Sequence, residues 1–137
     1  MGTRDQGTAV RQPYSNGPIR SFRDLVAWQK AYALGLAVYR LTVQMPREER
    51  FGLTQQVRRC SVSVSSNIAE GYSRSGRSDY ARFLKVARGS LYECDTQLML
   101  CADFEYVSRE DNLQVKQILD ECERVLAGLI RAIDSDS

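Results

Sequence analysis

Arginines and carboxylates set out along helical repeats are the side chains of this 137-residue chain most able to do chemistry, because histidine is absent altogether. Without histidine there is no Ser-His-Asp or Cys-His arrangement and no general base that titrates near neutrality, so an enzyme is not expected. One polar row is Gln56, Arg59, Ser63, Asn67 and Glu70, whose spacing of three and four places it on one stripe of a helix. A second row, Ser90, Glu93 and Gln97, follows the same spacing. If the two rows meet, within one subunit or between two, they form a hydrogen-bonded network that fixes helix register and oligomer geometry, since half-buried polar groups need partners. The competing reading is a pocket in which Glu70 and Glu93 act as a carboxylate pair for acid/base or metal chemistry. Against it, the chain has no Glu-x-x-His motif of the kind that di-iron bundles use. The expectation is therefore no catalytic residue, no metal and no cofactor.

The basic residues form the second constellation. Net charge is only +2, yet residues 50–88 carry eight cations and two anions, while residues 89–137 carry four cations and eleven anions. Such segregation within one small chain attracts a polyanion or a complementary neighbour. Arg58, Arg74, Arg77, Arg82, Lys85 and Arg88 are the candidate nucleic-acid contacts, with Arg59 beside them. Arg82, Lys85 and Arg88 lie across the helix face opposite the apolar ladder of their own helix, and Arg74 and Arg77 continue that surface through a loop. Arginine outnumbers lysine sixteen to three, and its planar fork suits phosphate and carboxylate alike. A merely solvated face is the plainer reading of one such helix; repetition around a ring would turn a modest patch into a basic belt. No helix-turn-helix, aromatic RNP-type motif or Gly-x-x-Gly clamp is present, so any binding should be led by the phosphate backbone and be strongly salt-dependent.

The elements that must position these groups are helices. Residues 1–20, rich in Gly, Thr, Gln, Asn and Pro without periodicity, read as an arm outside the fold, and residues 21–137 as one domain. The first helix is expected from a cap at Ser21, with Asp24 three residues on, to Met45 before Pro46. Its apolar residues make two stripes: Leu25, Trp28, Tyr32, Leu36, Tyr39 and Val43, expected to face the core, and Leu34, Val38, Leu41 and Met45 on the other side. A lone bundle needs only one, so the second hints at subunit packing. The second helix is expected from Leu53 to Glu70 on the repeat of Leu53, Val57, Cys60, Val64 and Ile68, ending in a left-handed cap at Gly71. Ser78 is the expected cap of a third helix whose Tyr80, Leu84, Ala87, Leu91, Cys94, Leu98 and Cys101 make an unbroken four-three ladder. After a turn at Glu105–Val107, Ser108 with Asp111 opens a fourth, with Val115, Ile118, Cys122, Val125, Leu129 and Ile133 toward the core. Short connections make this an all-α, antiparallel up-down four-helix bundle.

Composition agrees with that reading. A hydrophobic content of 43% with 26% charged residues suits one globular domain with a real core. No run approaches a membrane span and residues 1–20 have no apolar signal core, so the cytoplasm is the expected compartment. Cys60, Cys94, Cys101 and Cys122 lack Cys-x-x-Cys spacing and read as buried, reduced core residues in preference to a metal site or redox pair.

Several segments carry a family likeness. Phe22-Arg-Asp-Leu-Val-Ala-Trp-Gln-Lys-Ala, Leu53-Thr-Gln-Gln-Val-Arg-Arg, Ser66-Asn-Ile-Ala-Glu-Gly-Tyr and Phe83-Leu-Lys-Val-Ala-Arg-Gly-Ser-Leu-Tyr-Glu resemble the four-helix-bundle proteins encoded in intervening sequences of bacterial 23S ribosomal RNA genes. The likeness spans about residues 22–133. Those proteins are similar in fold to the accessory protein of diversity-generating retroelements, a pentameric barrel that binds nucleic acid and partners a reverse transcriptase. The resemblance thus implies a ring-shaped homopentamer with a basic surface, RNA or DNA or a nucleic-acid-processing protein as partner, and no membrane. Its motif falls on Gln56, Arg59, Ser63, Asn67, Glu70, Gly71, Arg74, Gly89, Ser90, Glu93 and Gln97. Cys60 and Cys94, where Ala and Leu are more usual, and Glu105, where Gly is common, depart from it; they touch packing and one turn.

Overall fold

The structure, a computed structural model, describes residues 17–134. Residues 1–16 of the expected arm and 135–137 of the expected domain lie outside that range. Among the described residues there are four α-helices and no strand: α1 Val26–Leu41, α2 Leu53–Tyr72, α3 Arg77–Asp103 and α4 Arg109–Asp134. Each packs on the next and α1 closes on α4, with α2 and α3 the most extensively packed pair. No helix among the described residues is long and apolar enough to cross a membrane.

The first helix is shorter than its periodicity predicts. Ser21 and Asp24 do form a reciprocal capping box, but it closes a single 3₁₀ turn, Phe22–Asp24. Leu25 then adopts an extended conformation before α1 begins. At the other end, Thr42 donates its hydroxyl to the Val38 carbonyl at 2.8 Å, α1 tightens into a 3₁₀ turn over Thr42–Gln44, and Pro46 forbids continuation. Ile19, ahead of the expected boundary, packs against the core.

The two faces of α1 are the reverse of the expectation. Leu34, Val38 and Leu41 are buried together with Ala27 and Ala31, whereas Tyr32, Leu36, Tyr39 and Val43 are exposed; only Leu25 of the expected core stripe is fully inside, and Trp28 packs partly against it. Ala27 and Ala31 explain the reversal. Small side chains let α1 approach its neighbours closely, so the buried stripe is the one with less apolar bulk.

Gly71 is a second correction. It takes no left-handed conformation; α2 runs through it to Tyr72. A Cβ at Gly71 would lie 2.8 Å from the Phe83 Cβ and 3.2 Å from the Tyr80 carbonyl oxygen. The glycine is there because α2 and α3 come too close for any side chain. Ser78 is likewise not a cap: the N-cap of α3 is Gly76, without a side-chain hydrogen bond.

Elsewhere the agreement is closer but not complete: on α2, Leu53 and Cys60 are only partly buried while Ser61 is fully inside. The α3 ladder from Leu84 to Cys101 is buried throughout. The Asp111 amide donates to Ser108 Oγ at 3.0 Å, as the start signal of α4 requires. The α3 helix ends with Glu105 at φ 62°. Its amide bonds Ala102 O and that of Tyr106 bonds Cys101 O, each at 2.9 Å, a Schellman closure that favours glycine at the Glu105 position. In α4 the buried positions are Val115, Leu119, Cys122, Leu126, Leu129 and Ile130, with Ile118, Val125 and Ile133 at the flank of the core.

Candidate functional site

The two polar rows meet within one subunit, across the seam between α2 and α3. Ser63 Oγ and Ser90 Oγ are 2.9 Å apart, and Asn67 Nδ2 donates to Ser63 O at 2.8 Å and to Ser63 Oγ at 3.0 Å. One turn away the Cys60 thiol donates to Glu93 Oε1 at 3.7 Å. Gln56, Arg59, Ser63, Ser90, Glu93 and Gln97 line one groove of about 420 Å³ over this seam. Gln97 Oε1 is buried there without a hydrogen-bond partner. Serines opposite serines permit the close helix approach that Gly71 completes farther along.

Glu70 is not part of that cluster. It faces outward and pairs with Arg74 at 2.5 Å. Because Glu93 lies opposite Cys60, about 15 Å along α2 from Glu70 at the helical rise, the two carboxylates do not form a pair. Among the described residues no group of three or more His, Cys, Asp or Glu side chains is placed to hold a metal ion.

The buried cysteines carry thiols, not thiolates. Burial pushes Cys101 up to about 11 and Cys122 up to about 12, and pushes Cys94 up as well. Cys60, only partly buried, is raised by burial first and then by the Glu93 carboxylate. All four are free.

Apart from Arg58, the candidate nucleic-acid contacts lie in the first half of α3 and the loop before it, and most are engaged inside the chain. Arg82 bonds Asp79 Oδ1 at 3.0 and 2.8 Å, Lys85 pairs with Asp134 at 2.8 Å, and Arg74 lies between Glu70 and Asp79. Arg74 and Arg82 also stack on the Phe83 ring, at 4.6 and 4.5 Å. Arg77 donates to Ala132 O at 3.0 Å and Ile133 O at 3.2 Å, the last carbonyls of α4, where a cation also complements the helix dipole. Arg88 is half-buried on the next turn. Arg58 is apart from this group, on the opposite flank of α2.

There Arg58 belongs to a cluster that the sequence did not single out. Its Nε donates to Thr42 Oγ1 at 2.7 Å and its guanidinium stacks on the Tyr39 ring at 4.7 Å. Arg50, in the turn before α2, stacks on Phe51 at 4.9 Å. Tyr39, Arg50, Phe51 and Arg58, with Arg59 and Thr54, line a groove of about 460 Å³ between α1 and α2. Three separate elements supply it, so no single helical repeat reveals it; the paired signal in the sequence is Arg50-Phe51 followed two turns on by Arg58-Arg59.

The geometry has relatives. No curated protein is similar to the chain at a significant level. The crystal structure of a protein of unknown function from the S23 ribosomal protein family of Bacteroides thetaiotaomicron superposes with a TM-score of 0.72 at 23% identity, over 77% of this chain and 99% of that one. At that identity the likeness establishes the four-helix fold. Residues 23–128, which hold α1, α2, α3, most of α4, the serine seam and both arginine clusters, match the 23S rRNA-intervening sequence proteins, and the chain belongs to that family.

Proposed function

We propose that the chain is a non-enzymatic cytoplasmic protein that assembles into a homopentameric ring and binds RNA or DNA through arginines repeated around it. The observation that carries the assembly is the outer face of α1, where Tyr32, Leu36, Tyr39 and Val43 stand 51%, 42%, 45% and 78% exposed at spacings of four, three and four. A contiguous apolar stripe of this kind marks a contact surface. A second copy suits it, because in a closed ring each subunit's apolar face is covered by its neighbour. The number five rests on the family resemblance. For nucleic acid, the exposed ion pairs of Arg74, Arg82 and Lys85 are worth about 0–1 kcal/mol each, so phosphate oxygens can replace their carboxylate partners.

Light scattering tests the assembly: wild-type protein should have the mass of five chains, and Leu36→Lys should fall toward one. Affinity for generic RNA over a salt series tests the binding, with log K falling linearly against log salt. Absence of binding at low ionic strength removes the nucleic-acid half.

A second reading has its own support. Because Glu70 and Asp79 already partner Arg74, and Asp79 and Asp134 partner Arg82 and Lys85 of α3, the protein also fits an assembly or adaptor role, for instance as partner of a nucleic-acid-processing protein, with no direct nucleic-acid contact. On that reading the basic middle of one copy pairs with the acidic α4 of its neighbour, so Arg82→Glu with Lys85→Glu dissociates the oligomer and leaves no RNA affinity to lose.

A further inference from the structure

We propose that the groove between α1 and α2 is a site for single-stranded RNA or DNA, its arginines on the backbone phosphates and Phe51 under a base. The proposal rests on the nucleic-acid reading above for its ligand class, but names a different face of the molecule and a different form of ligand.

Three guanidinium groups, Arg50, Arg58 and Arg59, line this groove, and no carboxylate does. That separates it from the α3 surface, where carboxylates stand among the cations. The nearest acid in sequence on that wall, Glu49, is committed elsewhere: it accepts from the Leu53 amide at 2.9 Å and from the Tyr106 hydroxyl at 3.3 Å. Arg58 is held in place by a hydroxyl and a ring, neither of them an anion, so it is oriented without being neutralised. Its fork is thereby prepared for phosphate oxygens.

The aromatic groups distinguish a single strand from other polyanions. Phe51 is 78% exposed in a turn, with one guanidinium already stacked on it. An exposed ring beside arginines is the pattern on which unpaired bases stack while the cations follow the backbone. A duplex keeps its bases stacked on one another and cannot offer a face to Phe51. On the groove wall, Thr54 Oγ1 has no hydrogen-bond partner. The groove lies open to solvent along its lining residues, so a strand can enter it from the surface.

The test uses the full-length protein and two fluorescein-labelled probes, a short oligothymidylate and a DNA duplex of equal length, followed by anisotropy at low salt. Phe51→Ala and Arg59→Gln alter exposed side chains and should keep the helical circular dichroism spectrum. Each should weaken oligothymidylate binding by about five- to tenfold, and Phe51→Ala should leave duplex binding unchanged. Arg59→Gln should also reduce the salt slope by about 0.7, the loss of one single-strand phosphate contact. If both variants bind oligothymidylate as the wild type does while Arg82→Gln with Lys85→Gln abolishes binding, the groove proposal is overturned and the α3 surface stands. The reverse pattern supports the groove and removes the α3 surface. No binding by wild-type protein overturns both. A fall in oligomer mass in Arg59→Gln, with oligothymidylate affinity unchanged, assigns the groove to a second copy and also overturns the proposal.

Discussion

The two flanks of α2 meet their neighbours in different ways. Toward α3 the contact is made of small groups: Ser63 against Ser90, Asn67 folded back on Ser63, and Gly71 against Phe83. Toward α1, above the buried Val57, the outer edge carries long cations laid over aromatic rings, with a groove left between them. The first flank satisfies most of its polar groups internally and leaves a ligand little to add; the second holds charge without counter-charge. One helix thus joins a seam that sets the fold to an edge free to take a partner.

Gly71→Ala should break the first flank most severely. The added methyl overlaps the Phe83 Cβ, and overpacking outweighs the gain of alanine's better helix propensity, for a net loss of about 1–2 kcal/mol. Urea or thermal unfolding reads it directly, and a stability equal to wild type would mean that the seam can widen at no cost. Arg58→Met comes next, on the other flank. It keeps much of the apolar stem but removes the bond to Thr42 and the stack on Tyr39, and should lower stability by about 1 kcal/mol. Ser90→Ala should cost less, about 0.5–1 kcal/mol, because Asn67 continues to satisfy Ser63. The smallest change sharpens the electrostatic side of the contrast. Glu93→Gln removes the negative charge that raises the Cys60 pKa and replaces the anionic acceptor of its thiol by a neutral amide. The folded protein should then hold more Cys60 thiolate at pH 8, and iodoacetamide should label that residue a few-fold faster. A labelling rate that stays the same or drops would show that burial alone governs this thiol.

How far the sequence announced these features depended on side-chain size. The α3 ladder was legible because its positions from Leu84 to Cys101 are all apolar and the four-three repeat never breaks. On α1 the same rule pointed to the wrong side, since Tyr32, Leu36 and Tyr39 outweigh Ala27 and Ala31 in any count of apolar bulk. Close helix packing selects for small residues, and these leave a faint periodic signal. Gly71 was misplaced for a related reason: a glycine near a helix end can serve a left-handed cap or a tight crossing, and only the position of Phe83 decides. The serine rows were legible from their 100° spacing. The aromatic groove was not, because Tyr39, Phe51 and Arg59 come from a helix, a turn and a second helix that only the folded chain brings together.

The Arg77 clasp has a consequence for how the protein opens. By holding Ala132 O and Ile133 O, it ties the last turn of α4 to the first turn of α3, fifty-five residues earlier, and the Lys85–Asp134 pair repeats the tie two turns on. Helix ends ordinarily fray one at a time. Here the amides at these two distant ends should share a single opening event, exchanging with solvent at matched rates as one cooperative unit.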